Sequence, residues 1–188
     1  MCEPSNLKAS ERRARRSLLH RFRKDKSGAS AIEFGIVATP FFLLLFAIIE
    51  VSLVFFAGFT MENAVDQTSR LIRTGQAQET GLTAETFKDA VCGKMGWLSD
   101  CSTGLKVEVQ RYDNFTGVPA TPSDPLENGQ LKQNYAFAPG NGGDVVIVRA
   151  FYIWDLTAKL PGIGLGNMTN GNRLIVATTA FRNEPFDK

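Results

Sequence analysis

The sequence predicts an α+β fold in which a long N-terminal transmembrane and stalk helix precedes a small antiparallel-sheet head. Three observations carry it. Sixteen uncharged residues run from Phe34 to Ile49, and after Glu50 eleven more run from Val51 to Met61. Apolar residues then recur at helical spacing as far as Ile72. Downstream, three short segments centred on Val107, Val148 and Ala177 carry the alternation or β-branched content of strands. The expected division is a basic leader over 1–28, a membrane helix over 29–61, a stalk over 62–75 and a head over 76–188.

The apolar run is long enough to cross a bilayer. As a helix, Ala31 to Met61 extends about 46 Å, against a hydrocarbon core of roughly 30 Å. Charge orients it. Nine Lys or Arg precede Gly28, opposed by Glu3, Glu11 and Asp25, so the leader carries +6 and the remainder −4. Positive charge beside a span marks the cytoplasmic side, so the chain beyond the helix is expected outside the cytoplasm. A conventional secretory signal fits poorly, because its apolar region would be shorter and would end in small residues rather than Phe55-Phe56. An uncleaved signal anchor remains an alternative. Pro40 lacks a backbone donor, and a kink or local break is expected near Ile36–Pro40.

Past the membrane, Met61, Ala64, Val65, Thr68, Leu71 and Ile72 line one helical face. Glu62, Asn63, Asp66, Gln67, Arg70 and Arg73 fill the other, so the helix should continue as an amphipathic stalk packed on its own head and end near Gly75. A second helix begins at Thr83, with Thr86 where a capping box places Glu or Gln, and Gly93 or Gly96 as its end. Leu105, Val107 and Val109 alternate with Lys106, Glu108 and Gln110, predicting a strand with one wet face. Val145 to Trp154 is apolar on both faces apart from Arg149, as in a central strand, and Leu174 to Phe181 suits a third. Antiparallel pairing with the helices on one face is the simplest arrangement. The connections 113–143 and 157–172 are long enough to be functional or mobile.

The region around Gly28 is the most specific. Gly28-Ala29-Ser30-Ala31-Ile32-Glu33-Phe34 follows a basic leader and opens the apolar helix. It resembles a class III prepilin cleavage signal. Joined to Pro40-Phe41-Phe42-Leu43-Leu44-Leu45 and Ile49-Glu50, the stretch 26–61 resembles the N-terminal region of TadE-like minor pilins or pseudopilins of the tight-adherence (Flp/Tad) pilus. Residues 174–186, closing in Phe181-Arg182-Asn183-Glu184-Pro185-Phe186, resemble that family's C-terminus.

The resemblance implies a type IV pilin-like architecture in the bacterial inner membrane with the head in the periplasm. It also implies cleavage by prepilin peptidase between Gly28 and Ala29, and assembly with other pilins and pilus-assembly proteins through Glu33, Phe34, Pro40 and Glu50. The chemistry agrees. Glycine leaves the cut site accessible, Ala29, Ser30 and Ala31 admit close approach, and a membrane-buried Glu33 carboxylate calls for a partner such as a new amine on Ala29. Glu50 faces either a polar group on another helix or the outer interface. A type II secretion pseudopilin, and an unprocessed single-pass protein with a binding head, remain alternatives.

Cys92 and Cys101, nine positions apart in a part expected outside the cytoplasm, are candidates for a disulfide or else two free thiols. No histidine follows His20 and no third cysteine follows Cys2, so neither zinc ligation nor a histidine-based catalytic arrangement is expected after the leader. Gly162-x-Gly164-x-Gly166 lacks the lysine and spacing of a phosphate loop. No DxSxS adhesion motif, such as larger TadG-like proteins carry, is present. The expectation is a non-enzymatic protein without cofactor or nucleic-acid partner, embedded in membrane lipid.

Overall fold

The computed structural model describes residues 28–98, 100–156 and 165–186. The leader before Gly28, with Cys2 and His20, lies outside that range, as do Gly162 and Gly164. The fold is α+β, a long apolar N-terminal helix followed by a small antiparallel-sheet head. Its helices are α1 (Ala29–Arg73), α2 (Gln76–Thr80), α3 (Ala84–Lys94) and α4 (Cys101–Gly104). Its strands are β1 (Lys106–Tyr112), β2 (Leu126–Glu127), β3 (Gln130–Leu131), β4 (Val145–Trp154) and β5 (Arg173–Arg182). The chain forms two compact units, Met1–Ala47 and Ile48–Lys188. In the first, the described residues form the N-terminal part of α1.

The second unit is built on a three-stranded antiparallel sheet in the order β1-β4-β5, with β4 central. Registers Val109↔Val148 and Val148↔Thr179 place Val107, Val109, Val146, Val148, Ala150, Tyr152, Ile175 and Ala177 on one face. That face forms the core together with Ala57, Met61, Ala64, Val65 and Ile72 of α1 and Phe87 and Val91 of α3. The stalk stripe therefore packs on its own sheet, and Glu62, Asn63, Asp66, Gln67 and Arg70 are exposed. Burial of these apolar side chains is the main force joining helix to sheet, each Val, Ile, Met or Phe contributing about 1.5–3 kcal/mol before entropy is counted and each Ala less.

Helix ends follow local chemistry. The Thr83 hydroxyl accepts from the Thr86 backbone N–H, and the Thr86 hydroxyl accepts from the Thr83 N–H, closing a capping box with Thr in the place of Glu. Helix α3 ends at Lys94, between the two neighbouring glycines, and its cap Met95 is buried in the core, 1% exposed. Helix α1 stops before Gly75, which takes φ +83°. The carbonyl of Arg73 then accepts from the Glu184 backbone N–H at 2.9 Å, and the two side chains approach to 3.6 Å. Phe186 lies over Gly75 so closely that a Cβ there would sit 2.8 Å from the ring. Asn183, 2% exposed, donates to the carbonyls of Pro139 and Asn141. Residues 183–186 thus fasten the end of α1 to the turn that leads into β4.

The opposite sheet face corrects one expectation. Glu108 is not wet: it is buried beside Arg149, its cross-strand partner in the register. The Arg149 guanidinium donates to Glu108 through Nε at 2.8 Å and through Nη2. It also donates to the Ser123 carbonyl at 2.9 Å and hydroxyl at 2.6 Å. The connection 113–143 supplies this cover. Within it stand a single 3-10 turn at Phe115–Gly117 and the β2–β3 hairpin, and Tyr135 stacks on Phe151 at 5.2 Å. Residues 136–138 line the free edge of β1, with Val109 N–H donating to Ala136 and Ala138 N–H to Val109. A connection expected to be loose is largely structural.

Candidate functional site

The candidate site is the apolar helix and the residues flanking it. Gly28 occupies a turn, and the described helix begins at Ala29, with the Ile32 N–H donating to the Gly28 carbonyl at 3.1 Å. Ala29, Ser30, Ala31 and Glu33 are exposed, and Phe34 is 71% exposed. Ala29 and Glu33 stand four residues apart, one above the other on a helix face. Around and beyond them the first unit presents Ile36, Phe41, Leu44 and Phe46 outward. Exposure of this kind distinguishes the segment from the core helix of a soluble protein, since only 11% of its most apolar window is buried. By length and composition α1 can cross a membrane. One apolar N-terminal helix is compatible with a single-pass membrane protein.

The helix runs unbroken through Pro40, against the expected local break. The Thr39 hydroxyl donates to the Gly35 carbonyl at 2.8 Å, one turn back, while the carbonyl that loses its backbone donor to Pro40 is that of Ile36. Ser52 and Thr60 likewise donate to carbonyls one turn back. These hydroxyls are satisfied within the helix and need no partner in an apolar surrounding. The carboxylates differ. Glu33 is exposed in the first unit, whereas Glu50 belongs to the second and is 8% exposed, sheltered by its own chain.

Cys92 and Cys101, at the end of α3 and the start of α4, are joined by a disulfide with Cα atoms 5.6 Å apart. The loop it closes carries Met95 into the core and Trp97 to the surface. In the second unit a groove of about 390 Å³ runs between α1 and β5, lined by Val54, Phe55, Gly58, Phe59, Leu174 and Val176. Sequence reading misses this groove, because it depends on how β5 seats against the helix. The small side of Gly58, 3.8 Å from Ile175 when given a Cβ, is the signal that could have found it.

Residues 28–70 match the family model described as TadE-like protein. No curated protein and no solved structure matches the chain. The matched region starts at the Gly28 turn and takes in the whole apolar run together with most of the stripe that packs on the sheet. Over residues 28–70, therefore, the chain is similar to TadE-like proteins.

Proposed function

We propose that the protein is a minor pilin or pseudopilin of a tight-adherence pilus, cleaved after Gly28 by a prepilin peptidase and assembled through its N-terminal helix. The observation that carries this reading is the outward display of apolar side chains from Ile32 to Phe46 on a helix that begins immediately after Gly28. Such a surface is satisfied first by lipid and then by the helices of other pilins. Cleavage would release the basic leader and expose an amine on Ala29, one helical turn from Glu33. The pairing offsets the cost of taking a carboxylate into an apolar bundle. The function is structural rather than enzymatic, in initiation or biogenesis of the fibre, with the leader facing the cytoplasm and the head the periplasm.

N-terminal sequencing of the membrane-extracted protein tests the reading. It should begin at Ala29, and a product beginning at Met1 would overturn the assignment. Gly28→Phe should block cleavage, and the position is open because a Cβ at Gly28 meets nothing within 4 Å. Glu33→Gln should leave cleavage and membrane insertion intact while reducing pilus assembly; normal piliation would refute the pairing role.

A further inference from the structure

The two edges of the three-stranded sheet differ. At the β1 edge both backbone groups of Val109 are taken by residues 136–138, and Lys106 and Arg111 stand along the strand. At the β5 edge the Leu174 N–H donates to the Asn167 side-chain oxygen at 2.6 Å, and the Leu174 carbonyl accepts from the Asn167 amide at 3.1 Å. Both bonds point away from β4. Backbone groups of an antiparallel strand alternate between its two sides, so Val176, Thr178 and Ala180 turn theirs the same way. Among the described residues nothing bonds to those three N–H groups or those three carbonyls.

Folded proteins commonly blunt such an edge with charge, proline, a bulge or a cover. Leu174 to Phe181 carries neither charge nor proline, and its pairing with β4 is unbroken. Val176 is 43% exposed there. The edge opens onto the groove between α1 and β5. Phe55, Gly58 and Phe59 form the apolar wall of that groove on the helix side, and Phe55 is 72% and Phe59 66% exposed. Glu62 continues the wall and has no ion-pair partner among the described residues. Asp66, one turn on, accepts from the Thr179 hydroxyl at 3.4 Å. The flank of α1 beside the edge is thus apolar and then acidic.

We propose that the β5 edge takes an extended segment of another protein as a fourth strand, with apolar side chains over Phe55 and Phe59 and a Lys or Arg beside Glu62. Only an extended backbone presents alternating donors and acceptors at the spacing of Val176, Thr178 and Ala180, so hydrogen bonding selects a polypeptide strand. Charge selects against a second copy. The comparably open edge of a copy is its own β5, and edge-to-edge pairing would turn the acidic flank of one α1 towards the same flank of the other. The inference goes beyond the pilin reading and stands without it, since edge, groove and flank all belong to the second unit.

The test uses the full chain in mild detergent, residue-resolved amide exchange, and the synthetic peptide acetyl-Thr-Val-Thr-Val-Thr-Lys-Thr-amide as probe. Without peptide, the amides of Val176, Thr178 and Ala180 should exchange rapidly while those of Ile175 and Ala177 stay protected. Saturating peptide should slow the three by about tenfold or more, and the same peptide N-methylated at every residue should not. Absence of slowing would overturn the proposal. Thr178→Pro removes an N–H that carries no bond in the head, so its thermal transition should match wild type while the peptide effect is lost; an undiminished effect would overturn the added strand. Glu62→Gln, on the exposed helix surface, should weaken the lysine peptide about threefold and leave its norleucine analogue unchanged. Equal behaviour of the two peptides would overturn the charge assignment. Protection of the three amides in the free chain would refute the proposal, assigning the edge to a second copy where protection fades on dilution and to the chain itself where it does not.

Discussion

Arg149 shows how one side chain organises a sheet face. Its guanidinium binds Glu108 across the strand pair and Ser123 from the overlying connection, and it lies 5.3 Å from the centre of the Phe151 ring. Removing one member of such a pair strands a buried charge, which costs about 3–5 kcal/mol, whereas replacing both by apolar groups is often neutral. Arg149→Leu should therefore lower the unfolding free energy by that amount in denaturant titration, and adding Glu108→Leu should recover much of the loss. Equal stability for the single variant and wild type would refute the account. The sequence singled out Arg149 as an exception in an apolar strand, but it gave Glu108 a wet face. Alternation reports which residues share a face and not what covers it, and the cover here comes from residues near Ser123 that lack any strand period. Tyr152 makes the related point for the core face: burial, and then its 2.8 Å hydrogen bond to Asp100, push its phenol well above the usual range. Its ionised form is thus disfavoured in the fold.

Among the elements, α1 was the most legible because its two patterns, an uncharged run and a 3.6-residue stripe, are both long. Strands β4 and β5 were legible for a similar reason. The hairpin Leu126–Leu131 was not foreseen, although Asn128-Gly129 spells a two-residue turn and both residues take positive φ, 53° and 77°. Strands of two residues carry too little alternation to stand out. The end of α1 is also fixed by more than glycine. Gly75→Ala places a side chain in a left-handed conformation, costing about 1–2 kcal/mol, and drives it against Phe186. The expected outcome is a loss of at least that size in thermal or denaturant unfolding, with faster amide exchange at the last turn of α1. Exchange unchanged there would mean that the tail does not hold the helix end.

For the molecule as a whole, the core is shared between a helix that begins before the head and a sheet that follows it. Ala57, Met61, Ala64, Val65 and Ile72 are as deeply buried as the sheet residues they touch. The helix therefore cannot be treated as a detachable anchor from residue 57 onward. A chain starting at Ile48 should unfold cooperatively in mild detergent, whereas a chain starting at Gly75 should lack a cooperative transition because its sheet has lost one wall of the core. Cooperative unfolding of the shorter chain would contradict this. The stripe behind the prediction was readable as helical periodicity, and its packing on the chain's own sheet was the default reading. The meeting of Trp97, Trp154 and Phe56 was not readable, since nothing in local sequence relates positions so far apart.

The tail that clasps α1 has a temporal consequence. A ribosome makes the helix early and residues 173–186 late, so the central strand waits for one of its two neighbours, and the helix end waits for its cap, until nearly the whole described chain has emerged. Until then the chain has no finished head, and closure of its core falls after synthesis of these late residues rather than before it.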